Sequence, residues 1–337
     1  MEQLALVLLF GKMIEVVKYN SDWFDKWNLF LIESRTNSFL HSRYFMEYHK
    51  DRFQDYSLIV IKDGNIVALL PANKRPHENV IESHGGLTFG GLITKTNDKP
   101  INTLIYFKSI LEFLAKNQID KLLYKQPPSF YSACSQEEVE YAIFLTEGKL
   151  IRMDTTFTID NSIGEKIKYQ ERRKRSIKKA VKLGAEIKET KDFSEYWKQI
   201  LTPNLQQRFG VKPVHSLEEI SQLSQNNPTH IRQFNAYLNG EILAGATVFE
   251  TPLVAHAQYI SAKDEGRRNG ALDYLFDNLI SEVFKTKAYF DFGIVNEEQG
   301  RSINKGLWDW KEGFGAKVFA HRFYEIHTNN HHKIITE

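Results

Sequence analysis

"IRQFNAYLNGEILAGATVFE", residues 231–250, is two β-rich runs joined by Asn239-Gly240. Both central residues of a type I′ turn need positive φ, and Asn-Gly meets that demand at low steric cost. The stretch predicts a β-hairpin. It has a counterpart in "YSLIVIKDGNIVALLPA", residues 56–72, joined by Asp63-Gly64. Each hairpin is followed by a further strand candidate (80–83 and 254–260), a glycine-containing loop and an amphipathic helix (101–116 and 271–284). Each helix then leads into another strand, "IDKLLYKQ" or "KAYFDFG". Order, element type and spacing match although few residues are identical, so the chain reads as one supersecondary unit written twice. Two independent uses of common hairpin and helix patterns are the plainer alternative. The fold class expected is α+β, with two tandem domains of one topology, each a mixed sheet flanked by helices.

Composition agrees with that plan. The 337 residues suffice for two ordinary domains. Hydrophobic residues make up 42% and charged residues 26%, with 23 Phe and 15 Tyr to fill cores. The formal charge is only +2, so attraction to an anionic partner must come from local clustering. A single cysteine, Cys134, excludes an internal disulfide and favours a reducing compartment. No basic side chain stands near it in sequence, so it reads as inert. The apolar run 4–10 is far short of the roughly 20 residues of a membrane span. It also lacks a basic flank and a cleavage site. The sequence therefore points to a cytoplasmic protein without integral membrane association. Residues 1–12 read as an N-terminal extension, either a short strand or a stretch upstream of Met13.

Between the halves, nine of the seventeen residues 166–182 are Lys or Arg. The expected helix spans 162–183, with Ser162 and Glu165 at capping-box spacing and Gly184 as its stop. Ile163, Ile167, Ile177 and Val181 can share one face, which leaves the charges outward. Such a density suits a phosphate-bearing partner, and Arg172, Arg173 and Arg175 are the candidate substrate-binding residues, because guanidinium grips phosphate bidentately. A solvated basic face balanced elsewhere is the bland alternative. The domains expected are 13–160 and 188–328, around a basic connector 161–187 and a tail 329–337 that looks disordered.

In "DEGRRNGALDYLFDNLI", residues 264–280, apolar residues at 272, 275, 276 and 279 form a helical stripe. Arg267, Arg268, Asn269 and Gly270 then fall at a helix N-terminus, where free amides and the dipole favour anions. An ordinary loop is the alternative reading. The order hairpin, strand, this loop, helix, strand resembles the GNAT superfamily of acyl-CoA N-acyltransferases, whose pyrophosphate loop reads Gln/Arg-x-x-Gly-x-Gly/Ala. Here Arg267-Arg268-Asn269-Gly270-Ala271-Leu272 supplies the Arg and the middle Gly, and Leu272 departs from the pattern. GNAT proteins commonly carry an Asn and, seven residues on, a Tyr that protonates the leaving thiolate. Asn304 matches, and Lys311 stands at the Tyr position. The run Trp310-Lys311-Glu312-Gly313-Phe314-Gly315 is similar to the FemAB branch, which builds each protein from two GNAT-like domains. The basic stretch ending at Gly184 is likewise similar to its connector. The resemblance covers most of 56–326, and the long helical arm of some FemAB members is missing.

The resemblance implies that an amine attacks an activated acyl carbonyl, with Lys311 stabilising the charge that develops. Asp291, His215, His256 and Glu250 are candidates for a general base, and Tyr259 for a secondary proton donor. Core packing is the alternative for His256, His215 and Tyr259, and an exposed helix position for Lys311. Arg267, Arg268, Asn269, Gly270 and Asn304 would hold the donor, acetyl-CoA or another acyl-CoA. The acceptor would be an amine on a sugar nucleotide, glycan or peptide precursor used in the cell envelope. Two other functions stay open: aminoacyl-tRNA-dependent transfer to peptidoglycan bridges, and nonenzymatic RNA or lipid binding by the basic helix. Asp291-Phe292-Gly293 is no kinase sign without its companion loops, and reads as the end of a buried strand at the cleft. The eleven histidines show no H-E-x-x-H and there is no Cys pair, so no metal is expected. The oligomeric state is not encoded in any of these patterns.

Overall fold

A computed structural model describes residues 5–9, 12–164 and 167–336. The chain divides into two compact units, Met1–Asp154 with Ala320–Glu337, and Thr155–Phe319.

The first unit opens with β1 (Ala5–Leu9) and β2 (Lys12–Lys18), paired antiparallel. Helices α1 (Phe24–Ile32) and α2 (Arg43–Met46) follow, then β3 (Gln54–Asp55), β4 (Leu58–Lys62) and β5 (Asn65–Leu70). The turn between β4 and β5 has φ 52° at Asp63 and 77° at Gly64, as the sequence required. Pro71 interrupts the strand, which resumes as β6 (Asn73–Lys74), because proline has no N–H for a ladder. Next come β7 (Val80–Glu82), β8 (Ile93–Thr94), α3 (Pro100–Lys116), β9 (Lys121–Lys125) and α4 (Glu137–Leu145). One sheet runs β1-β2-β4-β5-β8. β7 and β9 pair in parallel, with α3 as the crossover between them. Apolar residues of β4, β5, β7, β9 and α3 form one core.

Strand β10 (Lys149–Asp160) leads into the second unit. Helix α5 (Glu171–Lys182) starts later than 162 and lies inside this unit, packed on later helices. Gly164 has φ 67°, and Ile167 and Tyr169 pack on the core from the irregular segment ahead of the helix. Ile163 and Val181 are exposed, so of the four expected apolar residues only Ile177 anchors the helix itself, joined by Ala180. The proposed cap partner Glu165 lies outside the described residues. Gly184, at φ 81°, follows the last turn.

Strand β11 (Glu186–Thr190), helices α6 (Ser194–Tyr196), α7 (Thr202–Phe209) and α8 (Leu217–Asn226), and the hairpin β12 (Ile231–Leu238) and β13 (Glu241–Glu250) come next. The hairpin turn has φ 53° at Asn239 and 81° at Gly240. Then follow β14 (Val254–Ala262), α9 (Asp264–Asn269), α10 (Ala271–Asn278) continued by a π turn to Val283, and β15 (Tyr289–Ile294). A short hairpin, β16 (Asn296–Glu297) and β17 (Ser302–Ile303), precedes α11 (Lys305–Glu312) and β18 (Lys317–His327). Strand order in this unit is β11-β12-β13-β14-β15-β10, with β14 and β15 parallel and α10 packed against β12 and β13. Both units therefore contain hairpin, strand, helix and parallel strand in the same order.

The C-terminal residues depart from a disordered tail. β18 pairs with β9 over Phe323–His327, and a 3₁₀ turn at Thr328–Lys333 packs on α3. Ile334 is fully buried in the first core, and Asn330 Nδ2 donates to the Thr146 carbonyl at 2.7 Å. Burial of one apolar residue beyond the polar "NNHHK" supplies the anchor that composition alone did not display.

Candidate active site

The ladder between β14 and β15 is short. It pairs Val254 with Tyr289, Ala255 with Phe290 and His256 with Asp291, although β14 runs on to Ala262 and β15 to Ile294. Past Asp291 the two parallel strands separate, which leaves the facing edges of both without ladder partners. β14 also carries a bulge at Gln258: Ala257 lies opposite Val248, and Tyr259 opposite Thr247. The extra residue puts His256, opposite Phe249, and Tyr259, opposite Thr247, on one face.

Alternation on β15 does the rest. Phe290 and Phe292 join the core beneath α10, so Asp291 points to the other face. There its Oδ2 lies 2.8 Å from His256 Nδ1. Thr156 and Thr158 of β10 donate to Oδ1 at 2.5 and 3.2 Å, and the Gly293 amide donates to it at 2.9 Å. Burial works to raise this carboxyl, but His256, with the Thr156 hydroxyl and the Gly293 amide, outweighs it and holds Asp291 down at about 2. Asp291 is thus an anion that orients the imidazole, and too weak a base to accept a proton itself.

Lys311 arrives from α11. Its side chain is buried, and Nζ donates to the carbonyls of Gly293 and Ile294 at 2.9 and 2.8 Å. Burial drives its pKa down to about 7 against the opposing pull of Asp291. Two of the amine's positions are committed to carbonyls, so the third carries either a proton or a lone pair near neutrality.

His215 and Tyr259 meet on the same face. His215 Nδ1 lies 2.5 Å from Tyr259 Oη, the His215 amide donates to that oxygen at 3.2 Å, and Trp197 Nε1 donates to the His215 carbonyl. Both rings are buried. Glu250 instead sits in an ion-pair chain with Arg232 and Lys287.

The stretch 264–269 is helical, where the sequence reading placed a loop. Arg267 Nη1 contacts Asp264 at 3.2 Å, Asn269 Nδ2 donates to Glu265, and the Arg268 carbonyl accepts from Lys179. Gly270, at φ 82°, turns the chain into α10, and a Cβ on it would stand 2.1 Å from the Ser176 carbonyl oxygen of α5. Asp273, in the first turn of α10, is buried, with Arg173 Nη1 2.6 and 2.7 Å from its oxygens and Trp310 Nε1 at 2.8 Å. Arg172 is exposed and donates to the Asp309 carbonyl, while Arg175 is exposed. Asn304 caps α11, its Oδ1 accepting from the Leu307 amide at 3.0 Å. Among the described residues no group of His, Cys, Asp and Glu could hold a metal ion, and no helix is long and apolar enough to cross a membrane.

The structure thus brings Asp291, His256 and Lys311 together and joins His215 to Tyr259. Thr156, Thr158 and Asp273 were not anticipated. The alternation in "DTTFTID" holds a signal for the first two, since Phe157 and Ile159 claim one face and leave both threonines on the other.

No protein-family model and no curated protein sequence matches the chain. Solved structures do. FemX superposes with a TM-score of 0.65 at 11% identity, over 96% of this chain and 100% of that one. L-PGS from Bacillus licheniformis gives 0.58 at 13% identity, over 90% and 92%. A tandem GNAT protein from the clavulanic acid biosynthesis pathway gives 0.50 at 11% identity, over 94% and 98%. At these identities the likeness is one of fold, and it agrees with the duplicated order of elements. The chain has the tandem GNAT fold in its FemAB-like form.

Proposed function

We propose that this chain is an N-acyltransferase that moves an activated acyl group onto an amine of a sugar-nucleotide, glycan or peptide precursor. The observation that supports it is the Asp291–His256 pair beside Lys311 where β14 and β15 part. In this reading Asp291 fixes the Nδ1–H tautomer of His256 and leaves Nε2 as the basic nitrogen. The acceptor amine attacks the acyl carbon and forms the C–N bond, and its proton passes to His256. The tetrahedral intermediate collapses with loss of the C–S or C–O bond, and the Lys311 ammonium gives its proton to the departing sulfur or oxygen.

Two donors fit that chemistry, acyl-CoA and aminoacyl-tRNA. The N-terminus of α10 is where a pyrophosphate would sit in the acyl-CoA case. There the Ser176 carbonyl lies against Gly270, and the Asp273 carboxylate already occupies the favourable end of the helix dipole. That favours aminoacyl-tRNA, with Arg175, Arg267 and Arg268 available to phosphates. Titration calorimetry with acetyl-CoA, CoA and an aminoacyl-tRNA, on wild type and Arg267→Ala, tests it. Saturable CoA binding weakened by the substitution would select acyl-CoA instead. Failure of every donor to bind would remove the acyltransferase reading.

A further inference from the structure

The basic helix has one arginine whose charge is turned inward. Arg173 Nη1 is engaged with the buried Asp273, and its Nε is also buried, without a hydrogen-bond partner. Asp273 in turn accepts from Trp310 Nε1. The flanking residues reach the same helix: Arg172 Nη2 donates to the Asp309 carbonyl at 2.6 Å, and the Gln170 amide donates to the Gly313 carbonyl at 2.9 Å. A Cβ on Gly313 would stand 3.0 Å from Arg173 Cγ. Residues 309 and 313 are therefore held directly from the N-terminal end of α5 and residue 310 through Asp273, and Lys311 lies between them.

We propose that Arg173 is a positioning residue for Lys311, acting through Asp273 and Trp310 to fix the last turn of α11. The proposal rests on the reading of Lys311 as the site's cation and reassigns Arg173 from displayed phosphate ligand to internal clamp. Lys311 Nζ keeps both carbonyl acceptors only while α11 stays seated on the end of β15. If the clamp is released, the turn can lift, water reaches the amine, and its desolvation is relieved. The charged groups on the surrounding elements are Asp291 of β15 with His256 of β14 beyond it, Asp309 and Glu312 of α11, Asp273 of α10 and Arg173 of α5.

The test follows the amine directly and needs no substrate. Protein carrying lysine labelled with ¹³C at Cε is titrated by NMR, with Lys311→Met assigning the resonance by its loss. Two variants are compared with wild type. Arg173→Met removes the cation, and Trp310→Phe deletes only the indole N–H while keeping a ring against Phe276, Phe292 and Phe314. The midpoint of the Lys311 titration is expected to rise by at least about one pH unit in both, a tenfold change in the protonation equilibrium. A midpoint unmoved in either variant, with the fold verified by circular dichroism, overturns the proposal. If Arg173→Met does not fold, Trp310→Phe decides alone. A chain that shows the shift yet binds no acyl donor would lose the proposed function and keep the clamp.

Discussion

Lys311 is charged or neutral depending on conditions close to neutrality, because burial sets its pKa at about 7. Donation to the leaving group needs the ammonium, so activity belongs to the acid side of that value. The expected profile of kcat/KM with pH falls as pH rises through about 7, and the limb disappears in Lys311→Met along with roughly 100-fold of the rate. A profile flat from pH 6 to 8.5 in the wild type would remove Lys311 from proton transfer. Asp291 is fixed far below this range and contributes no limb of its own above pH 4. Asp291→Asn should still cost roughly 100-fold in kcat, because an amide no longer selects the His256 tautomer that places the basic nitrogen at Nε2. Single-turnover kinetics with the donor identified by calorimetry checks both substitutions.

At the scale of elements, the turn from α9 into α10 is set by close approach as much as by dihedral preference. Gly270 combines a φ of 82° with a position where a methyl would meet the Ser176 carbonyl. Gly270→Ala is therefore expected to cost about 2–3 kcal/mol, from left-handed strain and displacement of α5 together. A comparison with Gly240→Ala separates the two terms. Gly240 has nearly the same φ, 81°, but nothing within 4 Å of a Cβ. Denaturant titrations should show the larger loss at 270, and equal losses would mean that α5 moves aside freely. The same helix pair explains why the basic segment is not a free connector. Ile177 and Ala180 seat it, and Arg173 contributes an inward charge bound to a carboxylate.

Across the whole molecule the two units share an order of elements but differ in how they hold polar groups. The first unit buries His41 and His84 without charge. Burial lowers His41 to about 4, and burial, reinforced by His49, Lys125 and Arg43, lowers His84 to about 2. In the unfolded chain both take protons near 6.5, so the unfolded state binds more protons as pH falls. Their contribution to stability is complete above about 6.5 and is lost progressively below it, down to the folded values. At pH 5 the loss should be on the order of 2 kcal/mol for each histidine. Urea unfolding at pH 7.5 and pH 5 measures it, and His41→Gln should flatten part of the dependence. A first-unit transition whose midpoint is unchanged between the two pH values would contradict the buried neutral state.

The sequence by itself determined the local and periodic features. Asp63-Gly64 and Asn239-Gly240 dictate their turns through steric limits on φ, and alternation in "YFDFG" dictates that Asp291 leaves the aromatic face. Repetition of those signals disclosed two units of one topology, and it was the resemblance to the GNAT and FemAB patterns that brought Lys311 to notice. What it left open depends on neighbours distant in the chain. The later start of α5, the helical form of 264–269 and the anchored C-terminus each follow from burial against surfaces that no local window contains. Likewise, that Asp291 meets His256, Thr156 and Thr158 depends on strand register, and register is fixed only when whole sheets pack. Only the tertiary structure decided which arginine faces solvent and which is committed to Asp273, because a charged side chain's role is set by the partner and the dielectric it finds on folding.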